Sequence, residues 1–140
     1  MENFFAYGSL MCGDILSAVV GQPHRHRLAV LPDYRRFSVK NEQYPAVVPN
    51  SGHSVPGLVY HDITPAEWGR LDRFEQERYD RRLVRIFTED GCRMQAWCYV
   101  FRPEFRLELT GRNWDFGQFL AKEKQIFVAR YLGFRHIEEG

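Results

Sequence analysis

The sequence has few cysteines and almost no net charge, and each shortage excludes a class of protein. Its three cysteines, Cys12, Cys92 and Cys98, form no Cys-x-x-Cys pair, which argues against a disulfide framework and against a zinc site. The formal net charge of +1 at pH 7 is too small for a protein devoted to nucleic acid or to an anionic membrane. We therefore expect neither a metal nor a nucleic-acid partner.

Membrane and export signals are also missing from the sequence. No stretch approaches the roughly 18 apolar residues that a membrane helix needs. The first residues lack the basic segment of a secretory signal. These two absences predict a cytoplasmic protein without a membrane partner.

Apolar and aromatic residues, in contrast, are plentiful. They make up 44% and 15% of the 140 residues, which is enough to fill one hydrophobic core. The length is close to the commonest size of a single domain, and neither a linker nor an internal repeat interrupts the chain. The sequence therefore predicts one domain over residues 1–140.

Short apolar runs between turn residues predict a fold rich in strands. The hairpin signal is strongest where residues 83–87 and 96–101 flank Glu89-Asp90-Gly91. A small α+β domain follows, with a curled mixed sheet or β-barrel and a few packed helices. The other predicted strands are residues 2–7, 27–31, 34–40, 46–48 and 55–61.

Three segments have the capping residues of helices. Residues 65–75 follow Thr64, and Glu67 completes a capping box with it. Residues 13–20 end at Gly21. A last helix is predicted from residue 116 to about residue 132, beginning after Asp115 and ending at Gly133.

The first motif with candidate chemistry is Tyr7-Gly8-Ser9-Leu10, directly after the first strand. A glycine there permits a tight or left-handed turn, in which successive backbone N–H groups converge on an anion. The Ser9 hydroxyl adds a donor, so this loop could hold a carboxylate or a developing oxyanion. An ordinary turn between a strand and a loop is the alternative interpretation.

The second motif is Glu75, at the end of the predicted helix 65–75. At about 100° per residue, Glu75 projects between Trp68 and Leu71 on the apolar face, where burial raises the pKa of a carboxyl group. Such a group suits general acid/base chemistry at neutral pH. Glu77 falls near the polar face and is expected to be an ordinary surface acid. The alternative is a structural Glu75 paired with Arg78, Arg81 or Arg82.

These two motifs and three further segments resemble the gamma-glutamylcyclotransferase-like superfamily. That superfamily includes gamma-glutamylamine cyclotransferases and the avirulence-induced proteins of plants. The similarity follows the chain in order and extends over most of it. The matching segments are residues 5–10, 44–49, 55–60, 71–75 with Tyr79, and 96–100.

The resemblance implies a compact fold that contains a barrel, with a cavity at one side. The loop with Gly8 would bind the gamma-glutamyl group through backbone amides, and Glu75 matches the catalytic carboxylate of the family. Gln76 stands where the family often has glycine, which leaves the identity of the substrate open. From their positions in the sequence, we predict that Tyr99 lines the cavity and that Tyr79 hydrogen-bonds Glu75.

The implied reaction cyclises a gamma-glutamyl amine or peptide to 5-oxoproline and releases the amine. One carboxylate can take the proton from the attacking amine and give it to the leaving amine, so no cofactor is expected. The expected partner is a small gamma-glutamyl compound, and the protein would be a monomer or a weak homodimer. The alternatives are an enzyme for another gamma-glutamylated metabolite, and a non-catalytic module that binds a small molecule or a protein.

Three further features receive structural interpretations. Ser9 and Cys12 are candidate nucleophiles, but no Gly-x-Ser-x-Gly elbow surrounds Ser9 and no triad is apparent. The basic run from His24 to Arg27 could meet a phosphate, although a solvated strand edge is the simpler interpretation. Aromatic bands that include Phe127 and Tyr131 are interpreted as core.

Overall fold

Six strands form one sheet that closes on itself in the computed structural model, which describes residues 2–131. The strand order is β3-β1-β5-β4-β2-β6, and β2 also pairs with β3. This extra pairing closes β1 to β5 into a barrel and leaves β6 at its side, as the predicted mixed sheet or barrel requires. The strands are β1 (Glu2–Ala6), β2 (His26–Val39), β3 (Pro45–Ile63), β4 (Tyr79–Thr88), β5 (Arg93–Phe101) and β6 (Leu109–Asn113).

The barrel is weakest between β1 and β5, its one parallel pair. These two strands are paired only at Phe4 and Trp97, whereas every other neighbouring pair of strands is antiparallel. Farther along, the Tyr7 hydroxyl donates a hydrogen bond to the Tyr99 carbonyl at 2.6 Å. A side-chain hydrogen bond thus links these two strands beyond their last paired residues.

The predicted short strands at residues 27–31 and 34–40 are one strand, β2. Its pairing with β3 shifts between Pro32 and Tyr34, where Asp33 adopts a φ of 62°. A bulge of this kind bends a strand without ending it, so the proline does not separate two elements as predicted. Residues 46–48 and 55–61 likewise belong to the single strand β3. The hairpin of β4 and β5 is confirmed.

The first two predicted helices have the predicted bounds. Helix α1 (Gly13–Val20) ends at Gly21, which has a φ of 95°. Helix α2 (Pro65–Glu75) begins with a capping box: the Glu67 N–H donates to the Thr64 hydroxyl at 3.2 Å, and the Thr64 N–H donates to the Glu67 carboxylate at 2.9 Å.

The last helical segment is continuous but irregular. It comprises α3 (Phe116–Gln118), a π-helical turn (Phe119–Glu123) and α4 (Lys124–Tyr131). As predicted, Asp115 caps it by accepting the Gln118 N–H at 2.9 Å. Residues 132 and 133, where its end was predicted, lie outside the described residues.

The apolar core has two layers, one inside the barrel and one between the sheet and the helices. Consecutive residues of a strand face opposite sides, so Phe5 is buried inside the barrel and Phe4 in the helical layer. Tyr99 and Phe101 lie in the helical layer with Trp97 beside them, so one face of β5 packs against the helices. Within residues 2–131, none of the helices has the length and apolar character required to cross a membrane.

Candidate active site

Glu75 is the last residue of α2 and borders two small cavities. The helix ends there because Gln76 has a φ of 66° and a ψ of −160°. A side chain is unfavourable in that region of backbone space, which glycine enters freely. The position at which the family often has glycine is therefore one that needs a left-handed backbone.

The inner cavity, of about 30 Å³, brings together every residue predicted for the site. The loop after β1 forms one side, and the end of α2 with β4 and β5 forms the other. Two residues at the start of β3 and just before it complete the lining. The lining residues are Tyr7, Gly8, Ser9, Leu10, Tyr44, Pro45, Glu75, Tyr79 and Tyr99.

The outer cavity, of about 50 Å³, shares Ser9, Tyr44, Glu75 and Tyr79 with the inner one. Tyr44 and Phe74 belong to segments that resemble the family, and Gln76 stands where the family often has glycine. Sequence reasoning missed Phe127 and Tyr131, which it interpreted as core. The remaining lining residues are Phe74, Gln76, Phe127 and Tyr131.

The carboxyl group of Glu75 is electrostatically unusual. The residue is half-buried, and burial of its carboxyl, assisted by the negative charge of Asp72, raises its pKa to about 8. Among residues 2–131, no arginine pairs with it. The three arginines considered for that role bind other carboxylates: Arg78 binds Glu108 at 2.7 Å, Arg81 binds Asp72 at 3.0 Å, and Arg82 binds Asp80 at 3.6 Å.

The two predicted tyrosines lie beside Glu75 but bind elsewhere. The Tyr79 hydroxyl donates to the Pro45 carbonyl at 2.8 Å, so the predicted hydrogen bond from Tyr79 to Glu75 is wrong. The carbonyl at the start of β3 takes the one proton that this hydroxyl can donate. The Tyr99 hydroxyl donates to Asp72 at 2.7 Å and lines the inner cavity, as predicted.

The loop after β1 turns directly into a short 3₁₀ helix, Ser9–Met11. Its first hydrogen bonds run from the Met11 N–H to the Gly8 carbonyl at 2.9 Å and from the Cys12 N–H to the Ser9 carbonyl at 3.1 Å. The start of a helix leaves the preceding N–H groups without partners inside it. Here these are the amides of residues 8–10, which border the inner cavity.

Gly8 is needed for a close approach of the backbone to Pro45. Its φ of −128° lies outside the left-handed region, so a left-handed turn does not explain this glycine. A Cβ at this position would lie 2.8 Å from the Pro45 Cδ, closer than side-chain carbons pack. The absence of a side chain lets the loop lie against the start of β3.

The basic run from His24 to Arg27 lines a larger, open cleft of about 900 Å³ on another part of the surface. Arg25 pairs with Asp62 at 3.4 Å and Arg27 with Asp90 at 3.7 Å, so acids balance its charge. The prediction of a solvated strand edge is wrong for His24, whose side chain is only 6% exposed and binds Glu67 at 2.7 Å.

No metal site accompanies the Glu75 cavities in the part of the chain that the structure describes. Within residues 2–131, no three His, Cys, Asp or Glu side chains are grouped so as to hold a metal ion. What the cavities offer is one carboxyl group of raised pKa, amides of a helical start and the hydroxyl of Ser9. That set can bind a small anionic group and move a proton.

Comparison with known sequences gives the same family over most of the chain. A family model described as "Gamma-glutamyl cyclotransferase, AIG2-like" matches residues 4–116. AIG2-like protein D of Arabidopsis thaliana is 34% identical over 134 residues, which cover 94% of this chain and 85% of that protein. AIG2-like protein C of the same plant is 31% identical over 141 residues, covering 98% of this chain and 81% of its own.

Solved structures agree with this assignment. The solution structure of an Arabidopsis thaliana protein superposes with a TM-score of 0.73 at 26% identity, covering 99% of this chain and 93% of that one. A structure described as "Gamma-glutamyl cyclotransferase" has a TM-score of 0.64 at 17% identity, covering 72% of this chain and 66% of the other, and shows the shared fold alone. The resemblance found in the sequence is confirmed: the chain belongs to the gamma-glutamyl cyclotransferase, AIG2-like family.

Proposed function

We propose that the protein is an enzyme that converts a gamma-glutamyl amine or peptide to 5-oxoproline and the free amine. Glu75 is the general acid/base in this proposal. The observation that carries it is a desolvated carboxyl with a pKa of about 8, unpaired by any arginine of residues 2–131, that shares a cavity with the amides of residues 8–10. Membership of the family supports the class of reaction.

The reaction closes a five-membered lactam within one substrate molecule. The neutral α-amine attacks the γ-carbonyl carbon, a C–N bond forms, and the original amide C–N bond breaks. The Glu75 carboxylate accepts the proton that the attacking nitrogen loses and donates it to the leaving nitrogen. No water is consumed, and Glu75 ends the cycle in the state in which it began.

The loop after β1 supplies the electrostatic part of the proposal. A developing oxyanion on the γ-carbonyl, or the α-carboxylate of the substrate, would accept hydrogen bonds from the amides of residues 8–10 and from the Ser9 hydroxyl. Holding the amine and the carbonyl of one molecule in a folded geometry contributes the rest, because both reacting groups arrive together. Tyr7, Leu10, Tyr79 and Tyr99 shape this enclosure.

The volumes of the two cavities require adjustment on binding. At about 30 and 50 Å³, neither holds a whole gamma-glutamyl compound. Four residues line both cavities, so a modest displacement of side chains joins them into one chamber with Glu75 at the junction.

The experiment is a screen of gamma-glutamyl amines and peptides with the purified protein. We expect stoichiometric release of 5-oxoproline and of the amine, both measured by mass spectrometry, and no release with the Glu75→Gln protein. A non-catalytic binding module would give a ligand-dependent rise in melting temperature without either product. That second outcome would replace the proposed enzyme with the binding module.

A further inference from the structure

The outer cavity has an aromatic wall. Of its eight lining residues, five are aromatic: Tyr44, Phe74, Tyr79, Phe127 and Tyr131. The rings of Phe127 and Tyr131 lie 4.8 Å apart, Phe127 is 6.1 Å from Phe74, and Tyr131 is 6.1 Å from Tyr44. Phe127 and Tyr131 lie beyond residue 116, where the match to the family model ends.

None of the described residues that line this wall has a basic side chain, and apart from the tyrosines Glu75 is the one ionisable acid or base among them. The charges that act on Tyr44 are paired with one another: Glu42 with Arg130 at 3.4 Å, and Glu108 with Arg78 at 2.7 Å. Glu42 also accepts the Tyr131 hydroxyl at 2.6 Å. Among residues 2–131, a ligand group in the outer cavity therefore meets aromatic rings and no unpaired opposite charge.

Under the proposed reaction, the outer cavity is where the leaving amine must lie. We place the gamma-glutamyl group in the inner cavity, because Gly8 and Leu10 of the loop line only that cavity and Ser9 lines both. The leaving nitrogen must reach Glu75 to receive its proton, and Glu75 stands at the junction of the two. The substituent on that nitrogen then extends away from the loop, into the aromatic wall.

We propose that Phe127 and Tyr131 determine specificity and select gamma-glutamyl amides of uncharged, apolar amines. This inference rests on the proposed function and names the substrate class of the same site. A carboxylate or ammonium on the leaving group would lose its hydration among the rings without gaining a partner. An apolar substituent gains free energy in proportion to the area it buries, and aromatic rings provide that contact.

Because the outer cavity is small, the rings of Phe127 and Tyr131 limit the size of the amine that it accepts. At about 50 Å³, the outer cavity admits only the first few atoms of a substituent before it meets Phe127 or Tyr131. A longer amine displaces one of these rings and packs against the other. Both rings belong to α4, which follows the π-helical turn in an irregular helical segment.

The test compares three amides that share a chain of five carbons and differ in the terminal group, which is uncharged, positive or negative. These are the mono-gamma-glutamyl amides of pentylamine, 1,5-diaminopentane and 5-aminopentanoate, assayed for release of 5-oxoproline. We expect kcat/KM for the pentylamide to exceed both charged amides by about tenfold or more. A charged amide within about threefold of the pentylamide overturns the inference and leaves the proposed function intact. Release from none of the three, with release from a gamma-glutamyl peptide in the same preparation, also overturns the inference alone. Release from neither the amides nor the peptides overturns the proposed function itself.

Two variants test whether the aromatic wall causes the selectivity. Tyr131→Ala opens the outer cavity to water, so the ratio of kcat/KM between the pentylamide and the charged amides should fall about fivefold. Ile126→Ala truncates a neighbouring side chain of α4 that is 55% exposed and lines neither cavity, and it should leave the ratio unchanged. Because each ratio is taken within one preparation, partial unfolding does not affect it. An unchanged ratio in Tyr131→Ala, or an equal fall in both variants, overturns the assignment.

Discussion

Helix α2 carries two inward-facing carboxyl groups, one in its first turn and one at its last residue, whose pKa values are shifted in opposite directions. The side chain of Glu67 is 3% exposed and accepts hydrogen bonds from the Thr64 N–H, Gln22 and His24. Burial raises the pKa of Glu67, but these bonds outweigh it and hold the value at about 2. Glu75 has no such donors in residues 2–131, and burial with the charge of Asp72 raises its pKa to about 8.

The comparison shows that hydrogen-bond donors, and not burial alone, determine the pKa of a carboxyl group. Glu67 stays ionised at any physiological pH and fixes the start of α2 to His24. The two ring nitrogens of His24 lie within hydrogen-bond distance of the Glu67 carboxylate, at 2.7 Å, and of the His61 carbonyl, at 2.8 Å. Glu75, without such bonds, exchanges its proton near neutral pH. The first group holds the fold together, and the second is free for chemistry.

The largest effect on turnover is expected when the ionisable oxygen of Glu75 is removed. Glu75→Gln preserves shape, so we expect the protein to stay folded and to bind a gamma-glutamyl ligand while turnover falls by about a thousandfold. The measurements are 5-oxoproline release and isothermal titration with a substrate analogue. Turnover within a few-fold of the original would show that Glu75 is not the general acid/base.

The same variant should change the pH dependence of stability. Glu75 has a folded pKa of about 8 against a usual value of 4.5, so its contribution is complete below pH 4.5 and is lost as the pH rises through 8. Glu75→Gln should therefore stabilise the protein by roughly 2 kcal/mol near pH 9, after allowance for solvent screening, and by little near pH 4. Urea unfolding at both pH values measures this. A gain that is larger at low pH would contradict the raised pKa.

Glu67 should respond to the matching substitution in the opposite way. Glu67→Gln replaces a buried carboxylate, shared by Thr64, Gln22 and His24, with an amide that has only one acceptor oxygen, so we expect a loss of about 2 kcal/mol of stability at pH 7. Turnover per folded molecule should stay within about twofold, because Glu67 lines neither of the Glu75 cavities. Denaturant unfolding and active-site titration give the two numbers. A large loss of turnover per folded molecule would show that Glu67, like Glu75, is needed for the reaction.

The charge of Asp72 makes a smaller contribution to the difference in pKa between Glu75 and Glu67. Its negative charge raises the pKa of Glu75, so kcat/KM should rise with pH along an acidic limb centred near the pKa of about 8. Asp72→Asn should move that limb to lower pH, by about one unit, and it also frees Arg81 to act in the same direction. The titration of the amine of the substrate must be measured separately. If the acidic limb of the Asp72→Asn protein stays at the original pH, Asp72 does not influence the pKa of Glu75.

Glu77 serves as the control acid, and its substitution should have the smallest effect. It follows the end of α2 and is exposed, as the helical-face argument expected of a surface acid. Glu77→Gln should change turnover by less than about twofold and stability by less than about 0.5 kcal/mol. Equal losses from Glu77→Gln and Glu75→Gln in the release assay would mean that the argument selected the wrong residue.

Local signals predicted α2 and the orientation of Glu75 correctly. The capping box of Thr64 and Glu67 depends on residues three apart, and the flanking positions of Glu75 depend on helical periodicity within one segment. Trp68 and Leu71 are 4% and 0% exposed, so the face on which Glu75 was placed is indeed buried. Such features need no knowledge of the rest of the chain.

Features that depend on distant residues were not predictable in the same way. The sequence indicates a barrel, but strand β6 was missed, because its apolar signal is weak and it forms only by pairing with β2. His24 was read as solvated since its partner Glu67 is 43 positions away. Phe127 and Tyr131 have the spacing of core residues, and only the tertiary structure shows that they also wall a cavity.

The left-handed backbone of Gln76 has a consequence for evolution and engineering. This residue holds a conformation that costs of the order of 1–3 kcal/mol for a side chain, beside a carboxyl group that destabilises the fold when ionised. Two adjacent positions thus lower the stability of the native state at the mouth of the cavities. Selection for stability alone would replace both, with glycine and glutamine. Under the proposed function, keeping Glu75 is a trade-off in which the fold gives up stability in exchange for a group that can transfer a proton.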